Sequence, residues 1–204
     1  LLDDPRIHAI CTGLLGDDFN YMGSDGNYYT GVTGWHRDGE VLVRRHIKIA
    51  FYLDSLNADT GALRVIPGSH RLQDRFGEDL KRGLSGSMAK SVQTWNVEGA
   101  DIPAVALDVE PGDILVFDHN TFHSAWGGGT RRRMFTMNLS ERYADEHLDM
   151  LRRDTVNHSH YRRDSYYGKK MTETAGPQRL KHLEQVLSQD YDYAERVAHL
   201  EPLR

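Results

Sequence analysis

Between Asn27 and Ser140 the chain is a succession of short runs rich in Val, Ile, Tyr, Phe and Thr, each closed by turn residues, and this restricts the fold more than any other feature. The runs are Asn27 to Thr33, His46 to Asp54, Ala62 to Ile66, Val105 to Val109, Asp113 to Phe117 and Arg132 to Leu139. Asp59-Thr60-Gly61, Pro67-Gly68, Pro111-Gly112-Asp113 and Gly127-Gly128-Gly129 separate them with turn chemistry. Many short strands at this spacing favour an antiparallel sandwich or barrel over alternating βαβ units. Helices are expected at the flanks. Asp4-Pro5 suits a helix N-cap and first helical position, with Ile7, Ile10 and Leu14 at helical spacing up to Gly16. Leu180, Leu183 and Leu187, widened by Val186, predict a C-terminal amphipathic helix against an outer sheet face. A length of 204 residues suits a single domain over 1–204, with a strand-rich core at 27–140 and a largely helical extension at 141–204.

Charge and cysteine content exclude several classes. The formal charge of -5 gives no global attraction to nucleic acid or an anionic membrane. One cysteine, Cys11, cannot form an internal disulfide, so a reducing, cytoplasmic setting is expected. No apolar run approaches the ~20 residues of a membrane span, and Leu1 to Pro5 lack the start of a signal peptide. The expected partner is a small-molecule substrate; the sequence fixes no oligomeric state.

Candidate chemistry begins with His36 and Asp38 in Trp35-His36-Arg37-Asp38-Gly39. Residues two apart on a strand point the same way, so both can reach one metal ion. Chance alone supplies roughly one His-x-Asp in a chain with 11 His, and His147-Leu148-Asp149, in a segment read as helix, is that accident. The strand Asp113 to Phe117 leads to His123, which a closed antiparallel sheet can bring back to His36. Two His and one carboxylate leave three adjacent positions open, the facial triad suited to iron(II) and oxygen. His119 is assigned a supporting duty, and His8, His46, His70, His158, His160, His182 and His199 are read as structural.

Arg131-Arg132-Arg133 opens a strand in which Arg132 shares a face with Met134, Thr136 and Asn138. Only that guanidinium points into a mixed polar interior, where a planar fork grips a carboxylate through two hydrogen bonds. Arg131 and Arg133 are read as solvated.

These residues resemble the phytanoyl-CoA dioxygenase family of iron(II)/2-oxoglutarate enzymes. The matching pieces are Gly34-Trp35-His36-Arg37-Asp38-Gly39, the run from Tyr52-Leu53-Asp54 through Asp59-Thr60-Gly61-Ala62-Leu63-Arg64-Val65-Ile66-Pro67-Gly68-Ser69-His70, the stretch Pro111 to Phe117 leading to His123, and Arg132. The resemblance implies a mainly β fold, a double-stranded β-helix (jelly roll, cupin-like) with flanking α-helices. It implies iron(II) on His36, Asp38 and His123, with 2-oxoglutarate chelating the iron and its distal carboxylate on Arg132. Thr33 can add a hydrogen bond if Gly34 bulges the strand. His70 is implied to be structural. With O2 as co-substrate, the implied reaction hydroxylates a C–H bond and releases succinate and CO2; Asp38 fills the position that related halogenases leave to chloride. Two features depart from the family pattern. Arg132 follows His123 by only nine positions, which keeps Arg133 as a rival, and the leading segment common in the family is not expected within a sequence that opens at Leu1.

Two other readings use the same residues. A zinc hydrolase also uses two His and a carboxylate, but gives Arg132 no task. A cupin-like module could bind metal without catalysis. For the substrate, Arg37, Arg44, Arg45 and Lys48 near the expected mouth hint at an anion; Trp35 and Trp126 either wall the pocket or pack. Tyr166, Tyr167, Tyr191 and Tyr193 either close over the site or form a dimer contact.

Overall fold

The computed structural model describes residues 1–40, 42–129, 132–157 and 164–200. In chain order the elements are α1 (Pro5–Leu15), β1 (Asn20–Tyr29), β2 (Thr33–His36), β3 (His46–Tyr52), β4 (Leu63–Val65), α2 (Arg75–Leu84), α3 (Lys90–Trp95), β5 (Val105–Leu107), β6 (Ile114–Asp118), β7 (His123–Ala125), β8 (Arg132–Ser140), α4 (Leu148–Asn157), α5 (Lys169–Glu173), α6 (Pro177–Lys181), α7 (Glu184–Ser188) and α8 (Tyr193–Val197). The strands form two four-stranded sheets in the orders β1-β8-β3-β6 and β2-β7-β4-β5. This is the expected double-stranded β-helix with flanking helices.

The chain divides into two compact units, one of residues Ser24–Met137 and one of Leu1–Gly23 with Asn138–Arg204. In the first, β3 pairs antiparallel with β6 from Ile47↔Asp118 to Phe51↔Ile114. Strand β7 lies between β2 and β4, with His123 opposite both His36 and Val65. Between β2 and β7 the register slips: Thr33 faces Ala125 and His36 faces His123, so β2 carries one extra residue. That is a β-bulge. Two apolar clusters stabilise the unit. Ala50, Tyr52, Leu56, Ala62 and Val109 form one, and Trp35, Ile66, Leu80, Leu84, Ile102 and Phe122 the other.

Several expectations shift. The run Asn27 to Thr33 is not one strand: β1 begins at Asn20, ends at Tyr29 and turns at Gly31, whose φ is 73°. Helices α2 and α3 interrupt the strand-rich region. Asp74 caps α2 by accepting from the Gly77 N–H at 2.7 Å. Trp35 and Trp126 belong to the apolar packing, the Trp35 indole donating to Gly99 O at 2.7 Å. They pack rather than wall the cavity.

In the second unit Asp4 caps α1 through the Arg6 N–H, as expected, but the buried stripe is Ile7, Cys11 and Leu15, while Leu14 is exposed. The C-terminal stripe is not one helix. α6 and α7 are separated by His182 and Leu183; Leu183 and Val186 are buried and Leu180 is exposed. The break turns His182 inward, where its Nδ1–H donates to Phe19 O at 2.9 Å and its carbonyl accepts from the Tyr21 N–H. Buried Gln185 accepts from Asn20 Nδ2 and the Tyr143 N–H and donates to Tyr143 O. Tyr166 and Tyr167 donate to the carbonyls of Met22 and Tyr21, and Tyr193 is buried, so these three are packing residues of this unit; Tyr191 is exposed beside Arg152.

Candidate metal and co-substrate site

His36 ends β2 and His123 begins β7, and their pairing sets the rings 4.2 Å apart, centroid to centroid. Each ring is aimed by its own backbone. His36 Nδ1–H donates to Gly34 O at 2.8 Å and His123 Nδ1–H to Thr121 O at 2.9 Å. With the proton held on Nδ1, the Nε2 lone pair of each ring is free to ligate, which is how metal-binding histidines are usually oriented.

Asp38 arrives by a different route from the expected one. β2 stops at His36, and Asp38 lies in a bend whose Asp38 and Gly39 N–H groups both donate to His119 O, at 3.0 and 3.3 Å. Strand alternation therefore does not aim the carboxylate; the clasp to His119 does. The His119 N–H in turn donates to His46 O, and the two buried rings meet edge to face. His119 thus has the supporting position expected of it.

His36 Nε2 is 3.9 Å from Asp38 Oδ1, and His123 Nε2 is 3.5 Å from Asp38 Oδ2. One donor atom from each of the three lies within 4.8 Å of the others, close enough to hold one ion. Burial is the largest influence on both Asp38 and His123. It works against the Asp38 charge, but His123, Lys48 and His119 outweigh it and hold the carboxyl at about 2. It pushes the His123 imidazolium down to about 4. Near neutral pH the set is one carboxylate and a neutral His123, the protonation states a divalent ion needs.

The cavity beside these donors encloses about 560 Å³, part of it open to solvent, and is lined by residues of both sheets. Arg132 reaches into it from β8. Nη1 donates to Gly61 O at 2.8 Å and Nη2 to Thr33 Oγ1 at 3.2 Å, while Tyr29 faces the guanidinium carbon at 5.0 Å. Arg132 is buried, its Nε has no hydrogen-bond partner, and no carboxylate pairs with it among the described residues. A buried cation with an open donor fits a carboxylate ligand. Arg133, the rival, points outward into a bidentate pair with Asp54, 2.7 Å away. Arg131 lies outside the described residues, as do His158 and His160. Thr33 and His36 are three apart, an odd spacing that would set them on opposite faces of a regular strand, yet both line the cavity because of the bulge at Gly34-Trp35.

The other cations flagged near the mouth divide. Arg37 donates to Ser69 O and lies 4.1 Å over Phe122; Arg44 is buried, with Nε donating to His46 Nε2. Both are structural. Lys48 is the exception. It lines the cavity and its Nζ is 2.7 Å from Asp38 Oδ2. Asp25, Tyr29, Tyr52 and Phe117 also line the wall, and sequence reasoning passed them over. The available signal was the two-residue period of β3, which puts Tyr52 on the face of Lys48. The Pro-Gly-Ser-His run acts through its serine: buried Ser69 Oγ accepts the Phe122 N–H at 2.9 Å, just before β7, while His70 is exposed.

Ectoine dioxygenase of Sphingopyxis alaskensis is 28% identical over 155 residues, covering 64% of this chain and 48% of that protein. The crystal structure of EvdO2 from Micromonospora carbonacea var. aurantiaca complexed with 2-oxoglutarate is 25% identical with a TM-score of 0.50, over 70% of this chain and 62% of that one. Iron-bound HygX from Streptomyces hygroscopicus, at 15% identity and a TM-score of 0.52 over 69% and 65% of the two chains, shares the fold. The chain spans about half the length of the curated relative it matches. Residues 18–134 match the family model for phytanoyl-CoA dioxygenase, more than half of the sequence. The chain belongs to the phytanoyl-CoA dioxygenase family.

Proposed function

We propose that the protein is an iron(II)- and 2-oxoglutarate-dependent dioxygenase that hydroxylates a C–H bond of a small molecule, and that 1–204 act together as its oxygenase domain. His36, Asp38 and His123 hold the iron, Arg132 binds the distal carboxylate of 2-oxoglutarate, and Thr33 shares that contact. Iron(II) bound with 2-oxoglutarate supplies oxygen activation, coupled to release of succinate and CO2. The chain's own residues do the rest. Gly34 O and Thr121 O fix the two imidazoles, and the His119 clasp holds the carboxylate. Asp38 occupies the ligand position that halide would need, which favours hydroxylation. Tyr29, Tyr52 and Phe117 give the cavity aromatic lining.

One observation carries this reading: three metal-donor atoms lie within 4.8 Å of one another, and two of their residues, His36 and His123, line one cavity with a buried guanidinium that has no carboxylate partner among the described residues. A hydrolase would use that guanidinium only for a substrate that itself carries a carboxylate. Ectoine heads the panel of substrates because a relative carries that name. A reducing, cytoplasmic setting is proposed on the ground that the one cysteine, Cys11, is buried and free. No helix among the described residues is long and apolar enough to cross a membrane.

Anaerobic titration of the iron(II) protein with 2-oxoglutarate tests the reading, followed by an assay for oxygen-dependent succinate. A charge-transfer absorption is expected on 2-oxoglutarate binding. His36→Ala should abolish it, and Arg132→Ala should raise the 2-oxoglutarate Kd about a hundredfold, the loss of one charge-assisted bidentate contact. No such absorption in the unsubstituted protein sinks the assignment.

A further inference from the structure

A lysine disfavours strand interiors, and an ammonium withdrawn from water needs a partner. Lys48 sits in the middle of β3, opposite Phe117, with its side chain 17% exposed. Its ion partner among the described residues is Asp38, at Oδ2. The other oxygen, Oδ1, is 3.9 Å from His36 Nε2, and Oδ2 is itself 3.5 Å from His123 Nε2, so both oxygens are within reach of an ion held between the two rings and the ammonium competes for one of them. We propose that Lys48 is a positioning residue that restricts Asp38 to one-oxygen ligation, so that a coordination position stays open for the co-substrate. The inference rests on the iron reading above.

Two His and a single carboxylate oxygen leave three of six positions open, and 2-oxoglutarate takes two of them as a chelate. A carboxylate free at both oxygens can chelate as well, and then one of the three is lost. An ammonium on Oδ2 prevents this. It also places a positive charge beside a divalent cation, which weakens metal binding. Removing Lys48 therefore has an unusual sign: both effects tighten the metal, and the first loosens the co-substrate. Were Lys48 only a prop for the Asp38 side chain, its loss would weaken the metal instead.

The test uses the whole chain, stripped with a chelator and titrated with Co(II), read by d–d absorption, and then with 2-oxoglutarate. In Lys48→Met we expect Co(II) to bind about tenfold tighter with an altered d–d spectrum, and 2-oxoglutarate to bind about tenfold more weakly, effects of the size seen for groups that contact metal ligands. Lys48→Arg, which keeps a charged donor, should restore both. If Lys48→Met does not fold, Lys48→Gln is carried through the same titrations. Co(II) affinity unchanged or weakened overturns the proposal. Tighter Co(II) with unaltered 2-oxoglutarate binding also overturns it, leaving simple charge repulsion. If the unsubstituted protein binds Co(II) and 2-oxoglutarate, only the Lys48 assignment falls; if it binds neither, the iron reading falls too.

Discussion

At the scale of single residues, the site depends on groups each kept in one protonation state, His123 by burial and Asp38 by the charges around it. His123 illustrates the consequence for stability. Its value is about 4 in the folded chain against 6.5 when unfolded, so between these limits the unfolded state binds more protons. The metal-free protein should therefore be fully stable above pH 6.5 and lose about 3 kcal/mol as the pH falls to 4. Asp38, at about 2 against 3.8, adds a further loss below pH 4 with the same sign. Urea unfolding of the parent and His123→Gln across pH 4 to 7.5 checks this: the variant's stability should vary less with pH, and equal slopes would contradict it. The identities of these residues were legible in the sequence, because His-x-Asp, a later His and an Arg-opened strand are patterns of residue type. Their means of aiming were not. Asp38 is directed by a carbonyl from the β6–β7 connection, and the pairing of Asp38 with Lys48 joins two segments that no local spacing relates.

Element by element, regular alternation was readable and irregularity was not. β3, β6 and β8 emerged close to their observed limits, since each carries at least five residues of strand-forming character. β7 is three residues long and too short to show a period, although it carries His123. α2 was missed because Gly77 and Gly83 weaken its helical signal, and α3 because six residues are too few to show a helical period. A Cβ at Gly83 would lie 2.1 Å from the Trp95 ring, so the glycine is there to admit the indole. The bulge in β2 decides that Thr33 joins His36 in the cavity, and a sequence written as even alternation hides it. The start of β7 depends on Ser69. Ser69→Ala leaves the buried Phe122 N–H without its acceptor and should cost about 1–3 kcal/mol in chemical denaturation. Because His123 follows Phe122 directly, the same variant should weaken Co(II) binding, which titration measures.

For the whole molecule, donors from distant segments are brought together only in the folded chain, so metal and co-substrate must stabilise it. At ligand concentrations a thousandfold above Kd, the stabilisation is about 4 kcal/mol, which for a chain of this size corresponds to a rise in Tm of roughly 8–16 °C. Calorimetry with Co(II) and 2-oxoglutarate should show this rise, and Arg132→Ala should retain only the part due to metal. The adjacent arginines of β8 carry a last consequence, for changes of chain length. Arg132 faces the cavity and Arg133 is clamped outside by Asp54, so advancing the strand by one residue would exchange them. The preceding glycines leave no slack: a Cβ on Gly127 would lie 2.8 Å from Asp59 O, and one on Gly128 2.4 Å from Gly31 O. Neither position admits a side chain without moving the backbone it meets, so Gly127→Ala or Gly128→Ala should cost stability although each adds a single methyl group.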